Sequence, residues 1–253
     1  MQGYALFKRH ILEIQKAADI VIEKGQQTKA VWPELIMNDA GEEGSKLRFS
    51  EPAIIWNAPL RGSSKSASKR AIVMDGSFYF KDETFDKGGA SLEVYSVTNA
   101  AGQCTLKLLE AMHFDIEPNA DQSPFHPMFH VQFGKNNHLD LGALEGKIVR
   151  LAKVQPGRIV IDRNINMPTR DVRIPTPQMD YLSMLVMVVA DYFCGSDSSN
   201  EVTLGFKKLL QTVKNPKNVA RIGRQSRRLE ERWAPHEGST PFSAAHWYQE
   251  SCS

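Results

Sequence analysis

His113 and Asp115 stand one residue apart in an apolar stretch, and His126 and His130 follow within the next fifteen residues. Alternate side chains of a β-strand point to the same side, so His113 and Asp115 are expected on one face of one strand. His130 and Gln132 have the same spacing in a second apolar segment. If the two strands pair by their apolar faces, these four side chains meet on the opposite, polar face.

Two imidazoles and a carboxylate on one face can form an acid–base centre. A neutral imidazole takes a proton from an attacking 2′-hydroxyl, a protonated one gives a proton to the leaving oxygen, and the carboxylate orients them. Cleavage of RNA without a metal needs little more than a cation near the phosphate, and Lys107 and Arg173 are candidates. The predicted catalytic residues are His113, Asp115, His130, His126 and Gln132, with no cofactor and no metal.

Two other interpretations use the same residues. Two histidines and one carboxylate are the ligand set of non-haem iron sites, although His130 follows His113 more closely than in the His-x-Asp oxygenases. Alternatively, Asp115 accepts a hydrogen bond from an imidazole and Gln132 completes a buried polar network that has no catalytic role. The sequence leaves the choice between catalysis and structure open.

Positive charge is concentrated towards the C-terminus. Residues 207–232 contain nine Lys or Arg and two Glu, in a chain whose net charge is +2. From Lys217 onward four cations recur at intervals of four, three and four residues, which places them on one side of a helix. Such a stripe suits phosphates and gives salt-dependent binding. The predicted nucleic-acid-binding residues are Lys214, Lys217, Arg221, Arg224, Arg227, Arg228 and Arg232.

The periodicity of apolar residues predicts the elements that position both features. Helical spacing predicts an amphipathic helix over 4–24, and an almost wholly apolar helix over 178–193 is expected to lie on a sheet. Further helices are predicted over 201–213 and 216–233, separated at Asn215-Pro216. Alternation at period two predicts a short strand at 53–56 and four longer ones near 71–81, 92–98, 105–117 and 128–133.

Two glycine-containing segments are predicted to join the longer strands as short turns. They are Lys87-Gly88-Gly89 and Asn99-Ala100-Ala101-Gly102. The predicted fold is therefore α+β: an antiparallel meander flanked by the N-terminal helix and the central apolar helix. Residues 1–200 are predicted to form this core domain, and residues 201–253 a basic helical extension that packs on it.

Composition excludes several classes of protein. With 42% hydrophobic and 24% charged residues, the chain is typical of a globular protein. Its longest apolar stretch is too short to span a bilayer, and no secretory signal is recognisable, so no membrane partner is expected. Three distant cysteines lack metal or redox spacing, which favours the cytoplasm. Walker, Gly-x-Gly-x-x-Gly and Gly-x-Ser-x-Gly motifs are absent.

The run from His113 to Gln132 is an aromatic-Asp strand that leads into His-Pro and then into a His-bearing strand. It resembles a segment of uncharacterised small bacterial proteins of toxin–antitoxin and defence operons. Those proteins typically carry Arg-x-Asp or Tyr-x-Asp and several adjacent histidines, whereas this chain has His113-Phe114-Asp115 and two spaced histidines. The resemblance implies an accessory-genome protein that acts on RNA, with His113, Asp115, His126 and His130 as its site.

These observations predict a cytoplasmic nucleic-acid-binding protein of a bacterial accessory or antiviral defence system. RNA is predicted as the ligand in preference to DNA, and the His-based acid–base chemistry predicts ribonuclease activity. The alternative is a non-catalytic subunit of a larger bacterial complex. Its basic helix would then bind RNA or an acidic protein partner, such as an antitoxin or a neighbouring subunit.

Overall fold

The computed structural model describes residues 2–26, 29–39, 44–59, 69–81, 84–116, 129–134, 141–164, 174–175, 181–195 and 198–214. The helices in this part of the chain are α1 (Gln2–Gln26), α2 (Leu141–Ala152), α3 (Tyr181–Phe193) and α4 (Asn200–Lys214). The strands are β1 (Lys29–Val31), β2 (Leu35–Asp39), β3 (Ser45–Phe49), β4 (Ala53–Ala58), β5 (Lys69–Lys81), β6 (Thr84–Ala100), β7 (Gln103–Ile116), β8 (Phe129–Phe133), β9 (Ile159–Asp162) and β10 (Ile174–Pro175).

Three long antiparallel strands, β5, β6 and β7, form the centre of one ten-stranded sheet. Strands β4 and β3 pair with successive halves of β5, and β9 and β8 pair with successive halves of β7. Strands β1, β2 and β10 extend the sheet beyond β4, β3 and β8. Among the described pairs, β9 with β7 alone is parallel. The predicted α+β fold, with the meander β5–β6–β7–β8, is confirmed.

One extra residue interrupts the pairing of β7 with β6. Tyr95 of β6 pairs with Leu108, but the preceding residue Val94 pairs with Glu110, so Leu109 has no partner in β6. This is a β-bulge, in which one strand contributes two residues opposite a single residue of its neighbour. Because side chains alternate with a period of two, the bulge reverses which parity faces which side of the sheet.

The bulge corrects one prediction from the sequence. If side chains alternated without interruption along the whole of β7, Leu106 and Phe114 would lie on one face of the sheet, and Lys107 and His113 on the other. Instead, Leu106 shares a buried cluster with Ala111, whereas Phe114 belongs to a second cluster on the opposite face. Lys107 is exposed and lies on the face opposite His113, so it is not a cation of the predicted site.

The sheet has a different environment on each face. Helices α1, α3 and α4 cover one face, where residues such as Ile14, Val188 and Leu209 are fully buried. Helix α2 covers part of the other face, and its Leu144 and Ile148 are buried in the cluster of Leu106 and Ala111. We call this second face the α2 face. No helix in the described ranges is long and apolar enough to cross a membrane.

Most predicted elements are present, but one turn is not. The helices predicted over 4–24, 178–193 and 201–213 correspond to α1, α3 and α4, and the turn after β6 is confirmed by the positive φ angles of Ala101 (50°) and Gly102 (74°). Gly88 and Gly89 do not form a turn, because β6 extends back to Thr84 and both glycines pair within the sheet. The sequence did not predict α2, β1, β2, β3, β9 or β10, and the helix predicted over 216–233 lies outside the described residues.

The contact between β5 and α3 gives a test of this packing. A Cβ atom added at Gly76 would lie 3.1 Å from both Cβ and Cδ2 of Tyr181, a fully buried residue whose ring is 4.5 Å from that of Phe49. We expect Gly76→Ala to lower the free energy of unfolding by about 1–3 kcal/mol, because the buried ring must shift. Urea denaturation measures the change.

The matched control is Gly146→Ala. Gly146 is exposed on α2, and an added Cβ would meet nothing within 4 Å. Alanine favours the helix over glycine, so this change should raise the free energy of unfolding by about 0.5–1 kcal/mol. Equal losses in the two variants would contradict the close approach of Gly76 to Tyr181.

Candidate active site on the α2 face

Four of the predicted site residues come from two paired strands. In the antiparallel ladder between β7 and β8, Asp115 pairs with His130 and His113 pairs with Gln132. Directly paired residues share a face, as do residues two apart on one strand. His113, Asp115, His130 and Gln132 therefore lie together on the α2 face, as the alternation of the sequence predicted. All four follow the bulge at Leu109 along the chain, so it does not separate them.

Asp115 lies between the two imidazoles. Its Oδ1 is 2.6 Å from Nε2 of His113, and its Oδ2 is 3.3 Å from Nε2 of His130. The side chain of His113 is 23% exposed and that of Asp115 is 16% exposed, whereas His130 is 1% exposed. His113 and Asp115 are thus the members that solvent or a ligand can reach, and His130 contacts Asp115 from the protein side.

The carboxyl group of Asp115 is held in its ionised form. Burial by itself would raise its pKa, but the hydrogen bonds and charges of His113 and His130 outweigh burial and keep the pKa well below the ordinary value. The ionised carboxylate accepts from both rings. It therefore fixes the orientation of His113 through Nε2, which is the part that the aspartate of a catalytic His–Asp pair performs.

The second ring nitrogen of His113, Nδ1, is not bonded to Asp115. This atom is buried and has no hydrogen-bond partner among the described residues, and the same holds for Oε1 of Gln132. A buried polar atom without a partner costs about 1–3 kcal/mol. Such atoms call for an explanation, and a catalytic role is one of those expected. Nδ1 of His113 is such an atom, in the ring that Asp115 holds through Nε2.

The two imidazoles and the carboxylate of the cluster bond to one another. Within the described ranges, no group of three or more His, Cys, Asp or Glu side chains could hold a metal ion. The Nε2 atoms of His113 and His130 are both directed at the carboxylate of Asp115, so the three side chains satisfy one another.

A buried ion pair lies beside this cluster and was not predicted. Glu93 of β6 is fully buried, and its two carboxylate oxygens accept hydrogen bonds from the hydroxyl of Tyr95 and the guanidinium of Arg163. Glu93 pairs with Ala111, and Ser91, two residues away on the same face, pairs with His113. Arg163, which follows β9, is thus a cation on the same face as His113, whereas Lys107 is not.

Sequence reasoning missed the half of the α2 face that lies outside the apolar cluster under α2. We call it the open half and define it by the polar side chains of β3, β5 and β6 that share the face with His113 and Asp115; its members, of which Ser91 is buried, are Lys46, Arg48, Asp75, Ser77, Tyr79, Lys87 and Ser91. The signal was present in the sequence. Lys46 and Arg48 alternate with buried Leu47 and Phe49 at the period expected of a half-buried strand.

The remaining predicted residues lie at the limit of the described structure or beyond it. Lys214 is the last residue of α4. His126 and Arg173 are outside the described residues, and so are six members of the basic stripe: Lys217, Arg221, Arg224, Arg227, Arg228 and Arg232.

Comparison of the chain with protein-family models, with curated proteins and with solved structures finds no match. The geometry of the site is therefore the basis for a functional hypothesis.

The ionised state of Asp115 predicts a pH-dependent contribution to stability. A carboxyl group whose pKa is lowered by folding stabilises the native state above its unfolded pKa of about 3.8 and loses that effect as the pH falls. Asp115→Asn should therefore be less stable than the natural protein near neutral pH. The difference should shrink progressively below about pH 4. Urea denaturation across this range measures it.

Glu34→Gln is the control, since Glu34 is exposed on the segment before β2. Its difference from the natural protein should be small at every pH. A stability difference for Asp115→Asn that stays constant as the solution is acidified would argue against an ionised Asp115 between the two rings.

Proposed function

We propose that the protein binds RNA and cleaves it without a metal, with His113 as the residue that transfers the proton. One observation carries the proposal: Asp115 holds His113 through Nε2 at 2.6 Å, and Nδ1 is left without a protein partner among the described residues. An imidazole fixed in this way is suited to act as a general base and then as a general acid.

In the proposed reaction the 2′-oxygen of a ribose attacks the adjacent phosphorus. Nδ1 of His113 is buried in the free protein, so RNA must expose it on binding. It then takes the 2′-hydroxyl proton as the new P–O bond forms, and the bond from phosphorus to the 5′-oxygen of the next nucleotide breaks. The leaving oxygen takes up a proton, either from His113 or from a second acid. The products are a 2′,3′-cyclic phosphate and a free 5′-hydroxyl. The requirement for a 2′-hydroxyl is the chemical reason for RNA and not DNA.

The other predicted residues have different parts in this proposal. His130 is 1% exposed and Gln132 is 7% exposed, so they position Asp115 and His113 and do not contact the substrate. His126, outside the described residues, remains the candidate for the second acid. Arg163 shares the face of His113, but its guanidinium is bound to the buried carboxylate of Glu93. Arg173, outside the described residues, remains the candidate cation near the phosphate.

Binding to RNA is proposed to depend on the basic stripe from Lys214 to Arg232. Nine cations and two acidic residues in residues 207–232 give this segment a strong positive charge. The resemblance of the segment His113–Gln132 suggests the setting: a bacterial accessory or defence system, with the protein acting in the cytoplasm. A partner protein such as an antitoxin would then be expected to bind the positively charged segment 207–232 or to cover the site at His113.

A second function is favoured by the burial of the cluster. His130 and Gln132 are almost inaccessible, and mutual hydrogen bonds of this kind can serve to join β7 to β8 without catalysis. The protein would then be a non-catalytic subunit of a larger bacterial complex that binds RNA or an acidic protein. RNA binding without cleavage distinguishes this function from the first.

Substitution of the histidines tests the catalytic proposal. We expect His113→Ala to lower the rate of RNA cleavage at least about 100-fold, because proton transfer contributes a factor of this order. The double change with His130→Ala should abolish cleavage. Cleavage of a fluorescently labelled RNA measures the rate, and thermal unfolding shows whether each variant is folded.

His10→Ala is the matched control, a buried histidine of α1, which covers the opposite face of the sheet, and the folded variant should cleave at the rate of the natural protein. Asp115→Asn should retain RNA binding but lower the rate of cleavage, since the amide cannot hold the imidazole of His113 in the same tautomer and orientation. Cleavage that survives in the double variant removes the catalytic proposal and leaves the subunit function.

Charge reversal tests the stripe. Changing Arg221, Arg224 and Arg228 to Glu should weaken RNA binding and flatten its dependence on salt. Each lost contact with single-stranded RNA lowers the slope of log affinity against log salt by about 0.7. Charge reversal at the exposed residues Lys16, Lys153 and Arg158 is the control. Unchanged affinity in the stripe variant would exclude this segment as the RNA-binding region.

A further inference from the structure

The open half of the α2 face presents an aromatic ring between two lysines. Lys46, Tyr79 and Lys87 are directly paired across β3, β5 and β6 and share one face. The ammonium of Lys46 is 4.8 Å from the centre of the Tyr79 ring, and that of Lys87 is 5.2 Å from it. Both distances are within the range of a cation–π interaction. Lys87 is exposed, and Lys46 and Tyr79 are partly exposed.

The next row of the sheet connects this ring to the site. Arg48, Ser77, Gly89 and Asp115 are paired in sequence across β3, β5, β6 and β7. Arg48 is exposed and brings a third cation to the same surface. From the spacing of strands and residues, the Cα atoms of Tyr79 and Asp115 are about 12 Å apart. A few nucleotides can span that distance.

Gly89 lies on this face between Ser77 and Asp115 and has no side chain to obstruct a bound strand. A Cβ atom at this position would lie 3.4 Å from Oδ1 of Asp115 and 3.7 Å from Cε1 of His113. Glycine inside a strand often marks a place where a ligand or another backbone comes close. Here the missing side chain leaves room directly beside the carboxylate and the ring that it holds.

We propose that Tyr79 with Lys46, Lys87 and Arg48 forms a binding surface for single-stranded RNA, which crosses Gly89 to reach His113. Sequence-tolerant binding of single strands combines aromatic rings, on which bases stack, with cations that follow the phosphates, and both are present here. A base stacks on Tyr79 by displacing one lysine, which then contacts a phosphate. Inside a duplex each base is stacked on its neighbours and cannot stack on the ring, so the surface favours unpaired RNA.

This inference rests on the proposed function for the choice of ligand, but its test does not require cleavage. The full chain carrying His113→Ala serves as the parent protein. Its affinity for a labelled single strand of about 12 nucleotides and for a duplex of similar length is measured by fluorescence anisotropy. Tyr79→Ala should weaken binding of the single strand roughly ten-fold or more, whereas Tyr79→Phe, which keeps the ring, should bind nearly as well as the parent.

Two lysine pairs provide the matched comparison. Lys46→Glu with Lys87→Glu should weaken binding of the single strand and reduce its salt dependence. Lys16→Glu with Lys107→Glu changes the same net charge at exposed positions away from the open half and should have little effect. If Tyr79→Ala unfolds the protein, photocrosslinking of the parent to RNA that contains 4-thiouridine should map to Tyr79 or its neighbouring lysines.

The outcomes separate the two proposals. If Tyr79→Ala leaves the affinity for the single strand unchanged, stacking on this surface is overturned. It is overturned as well if Tyr79→Phe reduces that affinity as much as Tyr79→Ala does. The proposals on the stripe and on cleavage remain in both cases. The proposed surface is also overturned if Tyr79→Ala weakens the binding of duplex RNA as much as that of the single strand, or if the crosslinks are confined to the stripe. Binding that depends on Tyr79 in a natural protein that cleaves no RNA supports this inference and removes the catalytic one.

Discussion

The unpaired Leu109 in β7 decides which side chains of the central strands share a face. Before it, the even-numbered residues of β7 lie on the α2 face, and after it the odd-numbered residues do. The apolar residues Leu106 and Leu108 can therefore be buried under α2, while His113 and Asp115 occupy the same face further along the strand. Without the bulge, either the apolar pair or the polar pair would lie on the wrong side of the sheet.

Three charged groups on this face have partners from another part of the chain. Glu93 of β6 binds Arg163 after β9, and Asp115 of β7 contacts His130 of β8. Lys147 of α2 donates to the carbonyl oxygen of Pro52 at 2.6 Å, next to the start of β4. A buried charge without a partner costs several kcal/mol, so each pair also specifies how these segments meet. Helix α2 and strands β8 and β9 are thereby fixed relative to the central strands.

A division of the α2 face into a covered half and an open half follows from this arrangement. Residues of α2 cover the apolar half, and the open half combines exposed cations with Tyr79. The His113–Asp115 pair belongs to the open half and retains partial exposure. The proposed activity and the proposed binding surface therefore share one side of the sheet. They depend on different residues, so each can fail without the other.

Much of the fold was accessible from the sequence, because local patterns carried it. Period-two alternation predicted the four meander strands, and helical spacing predicted α1, α3 and α4. Short segments were missed, including β1, β2 and β9. Strand β3 was missed as well, although Lys46 and Arg48 alternate there with Leu47 and Phe49. Gly88 and Gly89 were assigned to a turn because glycine is common there, whereas their long-range pairing places them within β6.

For the site, the sequence by itself determined that His113, Asp115, His130 and Gln132 share a face, because alternation along each strand and apolar pairing between them suffice. Tertiary structure decided the rest. It placed Asp115 between the two rings, with His130 as the buried partner. It also placed Lys107 on the opposite face of the sheet and Arg163 on the face of His113. These outcomes depend on the bulge at Leu109 and on contacts between residues as distant as Glu93 and Arg163. A pattern read along one strand contains no information on either.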